Sequence, residues 1–281
     1  MGLLDNESIP RRKMILFFVI DTSGSMVGSK IGSVNDAIEN VLPMIGEISD
    51  ENPDAEINVA ALEFSTETRW LYDEPKGAKD FIWQKVEADG LTSLGEACEE
   101  LNKKLSRSGG FMPTSSGSGY FAPAIILLSD GGPTDNFEGG LKVLQGNSWY
   151  KSAIKIAIAI GDDADKDVLK QFTGSSEAVI TVHNIDALKK MIRIIAITSS
   201  QIGSKSTSAT DATKQEQVID KVNEAAADVA GAETAAAPAP AGTDSTSVNA
   251  LLADPALAAS LHNVETIIPY LLLLLPERHI P

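Results

Sequence analysis

Short apolar runs recur along the chain at residues 14–20, 57–64, 124–128, 154–160 and 178–182. Those beginning at 14, 124 and 154 are apolar at successive positions, not alternate ones. That predicts central strands of a parallel sheet covered on both faces. Residues 68–72 predict an extra edge strand beside 57–64. Between the runs the apolar spacing changes to three and four. Val34, Ile38, Val41, Leu42, Ile45 and Ile48 share one face of a predicted helix, with Pro43 placed to kink it. Leu94, Cys98, Leu101 and Leu105 repeat the spacing, as do Leu188, Ile192 and Ile195. Strands alternating with helices predict an α/β fold, a doubly wound and mostly parallel sheet flanked by helices. Ligands of such sheets bind at the carboxyl ends of the strands, near the switch in strand order.

This pattern fades near residue 200. SSQIGSKSTSATDATKQEQ and AAADVAGAETAAAPAPAGTDSTS are rich in Ala, Ser, Thr, Pro and Gly and poor in large apolar groups. Such composition predicts a flexible linker over 198–246, with a transient helix at 214–230. Apolar residues return in 247–281, where Asp254-Pro255 reads as a helix start. That short helical segment either packs back on the main domain, 12–197, or serves as a docking module.

Composition narrows the classes of function. With 281 residues and a hydrophobic fraction of 43%, the chain buries a sizeable core. A net charge of −16 argues against nucleic acid, whose phosphates call for clustered Lys and Arg. The single Cys98 forms no internal disulfide. RRKMILFFVI imitates a signal peptide, but its apolar stretch ends at Asp21 and no small-residue cleavage site follows. No apolar run approaches the ~20 residues that span a bilayer. The expectation is a cytoplasmic chain that engages neither membrane nor nucleic acid.

The candidate chemistry starts where the first strand ends, in FFVIDTSGSMVGSK. A phosphate loop requires G-x-x-x-x-G-K-[ST], and here Ser29 separates Gly28 from Lys30, which leaves Lys30 an ordinary residue at the start of a helix. A dinucleotide fingerprint is lacking as well. Asp21, Ser23 and Ser25 instead lie at alternate positions past a strand end, so their oxygens converge if the loop curls over the sheet edge. Gly24 and Gly28 permit the turns. Oxygen-only ligands suit a hard cation, Mg²⁺ or Mn²⁺. Alone the triad is weak, because Asp, Ser and Gly crowd ordinary turns. Thr92 in ADGLTSLGEA and Asp130 in IILLSDGGPTD strengthen it, each predicted on the same edge.

FFVIDTSGSM, LTSLGEA and IILLSDGGPTD together resemble the von Willebrand factor A domain and its metal-ion-dependent adhesion site, over residues 12–197. With AIAIGDDADKDVLKQF downstream, the set is most similar to bacterial TerY-type proteins of tellurium-resistance loci. The resemblance implies that Ser23, Ser25 and Thr92 ligate the metal, with Asp21 and Asp130 acting directly or through ordered water. It also implies a free coordination position for an Asp or Glu of a partner protein. The setting it implies is a stress or metal-resistance assembly, with a kinase or phosphatase of the same locus as partner.

Other groups carry less. Asp135 reads as a rim residue. The long Gly/Ser loop before the third apolar run, bearing Phe111 and Tyr120, is expected beside the metal face as part of the partner-binding rim. His183, His262 and His279 are scattered, no G-x-S-x-G elbow is present, and Cys98 falls on an apolar helix face. No catalytic residue is assigned and a non-enzyme is expected. The second reading is an accessory subunit of a metal-dependent phosphohydrolase, or a weak phosphohydrolase itself.

Overall fold

A computed structural model describes residues 11–106, 110–113, 119–205 and 210–235, without the side chains of 211 and 212. These residues lie within one compact unit, 1–236. The first half of the fold comprises β1 (Arg12–Asp21), α1 (Ser29–Glu51), β2 (Ala55–Phe64), β3 (Thr68–Trp70), β4 (Lys76–Gly77) and α2 (Leu94–Lys104). Then follow β5 (Ala124–Ser129), α3 (Phe137–Gln145), α4 (Ser148–Ser152), β6 (Ile154–Ile160) and α5 (Lys166–Thr173). The last elements are β7 (Val179–Val182), α6 (Ile185–Gly203), α7 (Asp211–Ala227) and β8 (Ala232–Thr234).

The sheet runs β3-β2-β1-β5-β6-β7-β8, with β4 also paired to β2. β2, β1, β5, β6 and β7 are mutually parallel, while β3, β4 and β8 are antiparallel to their neighbours. The chain leaves β1 for β2 on one side and returns to β5 on the other, so the switch in strand order falls between β1 and β5. Asp21 ends β1 and Asp130 follows β5 directly, so both stand at the carboxyl edge of that switch.

Burial explains the unbroken apolar runs. Met14, Leu16, Phe18 and Ile20 of β1 face a core shared with α1, α6 and α7. Ile15, Phe17 and Val19 face the opposite core, with α2, α3 and α5. Each fully buried side chain of this size contributes about 1.5–3 kcal/mol. Pro43 lies on the exposed side of α1, and the helix continues through it.

The region expected to be a linker differs. α6 runs on to Gly203, and α7 and β8 belong to the fold. Val218, Ile219, Val222, Ala226 and Val229 are buried in the first core, and β8 pairs with β7. Their spacing of three and four supplies an apolar face narrow enough to be masked by the surrounding Ala, Glu and Gln. Residues 236–281, including the 247–281 segment, lie outside the described residues.

Candidate metal centre

Three loops meet at the carboxyl edge, and backbone hydrogen bonds fasten them before any side chain is considered. The amide of Gly24 donates to the Gly90 carbonyl at 3.0 Å, and that of Asp89 to the Thr22 carbonyl at 2.8 Å. The Thr134 amide donates to the Thr92 carbonyl at 2.9 Å, and the Thr92 amide to the Thr134 hydroxyl at 3.1 Å. Gly24 suits this approach: a Cβ there would lie 3.3 Å from the Gly90 carbonyl oxygen, a tight contact. Gly28, at φ +87°, occupies the left-handed region as the chain turns into α1.

Side chains complete the centre. Asp21 is fully buried; its Oδ1 accepts from the Ser23 amide at 2.8 Å and its Oδ2 from the Ser129 hydroxyl at 2.6 Å. The hydroxyls of Ser23 and Ser25 lie 3.0 Å apart, and Ser25 donates to Asp130 Oδ1 at 2.6 Å. Asp130, 1% exposed, also accepts from Lys30 Nζ on its Oδ2 at 2.5 Å. Thr92 is buried at the same edge, at the mouth of α2. Burial raises the Asp21 carboxyl above the ordinary carboxylate range, against the lowering effect of its bonds from Ser129 and Ser23. A bound cation acts in the opposite direction and favours the carboxylate.

The donor set fits a hard cation. Asp21, Ser23, Ser25 and Asp130 offer only oxygen, from two carboxylates and two hydroxyls, joined through the contacts above. Among the described residues no group of three or more His, Cys, Asp or Glu is placed to hold a metal.

The structure corrects the sequence expectation for Lys30, Phe111 and Tyr120 and gives Asp135 its bonding partners at the carboxyl edge. Lys30, taken as an ordinary residue, forms an ion pair with Asp130. Asp135 accepts from the Gly95 and Glu96 amides at 3.0 and 2.9 Å, so its carboxylate caps α2 and binds the Asp130 loop to that helix. Phe111 and Tyr120 are not at the metal edge. Phe111 stacks on Phe17 at 6.3 Å and meets Trp70 edge-on at 5.1 Å, while Tyr120 bridges to Lys13 at the start of β1. The reason is topological. A crossover enters a parallel strand at its amino end, so Tyr120, which leads into β5, lies at the edge opposite Asp130.

Other groups also take definite places. Asp165 caps α5 through the Val168 amide at 3.1 Å. Cys98 is buried, and desolvation pushes its thiol up, consistent with a packing role. His183 stands between Asp162 on Nδ1 and Glu233 on Nε2.

Residues 16–194 match the family pattern of the von Willebrand factor type A domain. The chain belongs to that family. Inter-alpha-trypsin inhibitor heavy chain H2 of Mus musculus is 28% identical over 180 residues, covering 58% of this chain and 17% of its own. This chain therefore spans less than a fifth of that relative. Among solved structures, the open conformation of the pilus adhesin SpaC from Lactobacillus rhamnosus GG aligns with a TM-score of 0.53 at 15% identity, covering 69% of this chain and 30% of its own. That likeness concerns the fold. Proximal thread matrix protein 1 from the mussel byssus, with a zinc-occupied adhesion motif, aligns at a TM-score of 0.48 and 16% identity over 66% of this chain and 48% of its own. Domains of this family typically mediate metal-dependent binding of protein partners. No helix among the described residues is long and apolar enough to cross a membrane.

Proposed function

We propose that the carboxyl edge of this A domain holds Mg²⁺ or Mn²⁺ and presents it to an Asp or Glu of a protein partner. Ser23, Ser25 and Thr92 would contribute hydroxyl oxygens, with Asp21 and Asp130 acting directly or through water. The observation that carries this reading is the Ser25 hydroxyl, which touches both Ser23 and Asp130 and so draws the ends of β1 and β5 into one oxygen cluster. Two carboxylates leave a divalent ion short of ligands and electrophilic, and a partner's carboxylate completes its shell. Resemblance of the three motifs to TerY-type proteins supports a cytoplasmic stress or tellurium-resistance assembly as the setting, with a kinase or phosphatase of the same locus as partner. The 247–281 segment would then be a second docking element.

Mg²⁺ titration by calorimetry tests the centre. The unaltered chain gives a saturable isotherm, and Asp21→Ala and Asp130→Ala give none while retaining the circular dichroism of the fold. Equal isotherms in all three proteins overturn the assignment. Affinity capture with and without chelator, with Asp21→Ala as control, then identifies the partner. Robust metal-dependent turnover of phosphate esters would replace the adhesion reading by the phosphohydrolase one.

A further inference from the structure

Lys30 is out of place by ordinary helix electrostatics. It occupies the first turn of α1, where the positive end of the helix dipole disfavours a cation. α2, α3, α5 and α6 each carry an acid in their first turn, namely Glu96, Glu138, Asp167 and Asp186; α1 carries none. The side chain does not turn out to solvent but reaches Asp130 at 2.5 Å, a carboxylate whose side chain is wholly buried while that of Lys30 is 29% exposed. It passes the loop after β6 on the way: a Cβ on Gly161 would lie 3.6 Å from Nζ. The ammonium thus lies on the oxygen of Asp130 that Ser25 does not use.

We infer that Lys30 is a positioning and charge-setting residue of the metal centre, one that weakens the hold on a free cation and strengthens the loaded site's demand for a carboxylate. The inference rests on the metal reading above. Asp21 and Asp130 bring two negative charges to the cluster, and Lys30 cancels one of them. A divalent cation entering this cluster is left with net positive charge, where two unopposed carboxylates would neutralise it. Coulomb attraction between the centre and an incoming Asp or Glu rises accordingly, and attraction between the empty cluster and the cation falls. Metal and partner then bind cooperatively, each raising the affinity for the other by the same factor. Lys30 also fixes the rotation of the Asp130 carboxylate, so that Oδ1 faces Ser25 and the oxygen cluster.

Calorimetric titration with Mg²⁺, repeated with Mn²⁺, compares the unaltered chain with Lys30→Met, Lys30→Gln and Lys30→Arg. Lys30→Met and Lys30→Gln bind both cations about tenfold more tightly, the scale of one partly screened charge. They also show a larger rise in melting temperature from chelator to saturating Mg²⁺. Lys30→Arg, which keeps the charge, matches the unaltered chain. Equal or weaker cation binding in Lys30→Met and Lys30→Gln, with the unaltered chain still saturable, overturns the role of Lys30 and leaves the metal centre standing. No saturable binding in the unaltered chain overturns the metal reading itself.

Discussion

At the carboxyl edge of the sheet, carboxylates and hydroxyls meet amides; at the amino edge, ammonium and guanidinium groups meet carbonyls. Asp135 takes the first amides of α2, Asp165 that of Val168 in α5, and Asn184 that of Ala187 in α6. Opposite them, Arg11 donates to the carbonyls of Ser49 and Asn52 where α1 ends. Lys155 donates to those of Tyr150 and Ala153 where α4 ends, and Lys214 to those of Gly203 and Lys205 where α6 ends. The Phe121 ring, just before β5, has Arg12 Cζ at 3.9 Å and Lys214 Nζ at 5.0 Å. One cause accounts for both edges. α1, α2, α3, α5 and α6 run antiparallel to the parallel strands, so their amino ends gather above Asp21 and their carboxyl ends below Arg12, while α7 returns the other way, from Lys155 at the start of β6 toward β8. The difference lies in what is satisfied. Cations of the amino edge are matched by fixed backbone carbonyls and stabilise; the carboxylates at Asp21 and Asp130 face side-chain hydroxyls that a cation can share. Lys30 is a cation that crosses this division and pairs with a buried carboxylate, which is why its role bears on function.

The largest effect that tests this division is expected from Phe111→Ala. If the loop before β5 is amino-edge packing, the substitution removes contacts with Phe17 and Trp70 and costs about 2 kcal/mol of stability, measured by denaturant titration. The Mg²⁺ isotherm stays as it was. Unchanged stability with weakened metal or partner binding would return Phe111 to the rim and blur the two edges.

A smaller effect is expected from Asp135→Ala. Two α2 amides lose their acceptor, at a cost of about 1 kcal/mol, and Asp135→Asn, which keeps one carbonyl oxygen, loses less. Mg²⁺ still binds in both, because the carboxylate is spent on the helix. Abolished Mg²⁺ binding at unchanged stability would make Asp135 a ligand instead.

These two residues show where sequence reading succeeds and where it stops. The central strands were legible because burial on both faces leaves an unbroken apolar run, as in MILFFVI and AIILL. The meeting of the Asp21 and Asp130 loops was legible because each directly follows an apolar run of a parallel strand, which sends both to the same edge. Tyr120 was misplaced because, although close to Asp130 in sequence, it enters β5 at the opposite end: the ten positions from one to the other span the height of the strand. The Lys30–Asp130 pair joins residues 100 positions apart, a contact created by the order β1-β5 and by nothing local. β4 and β8, two and three residues long, carry no alternation to read.

The smallest expected effect concerns β8, which closes the sheet beyond β7 and borders the carboxyl edge. His183, just after β7, pairs with Asp162 and lies 3.2 Å from Glu233 of β8. The hydrogen bond to Asp162, followed by that to Glu233, raises its pKa above the ordinary histidine value. A raised folded-state pKa means that the folded chain holds this proton more tightly than the unfolded one. Its contribution to stability is fully present below the unfolded value of ~6.5 and is lost as pH rises through the folded value. Melting temperature should therefore fall more steeply from pH ~6 to ~8 in the unaltered chain than in His183→Gln, where no group titrates at this position. Both partners are exposed, so the gap between the two profiles is small and shrinks in high salt. Parallel profiles would mean that the β8 border is held by its backbone bonds to β7 alone, leaving the carboxyl edge without a titrating clasp at physiological pH.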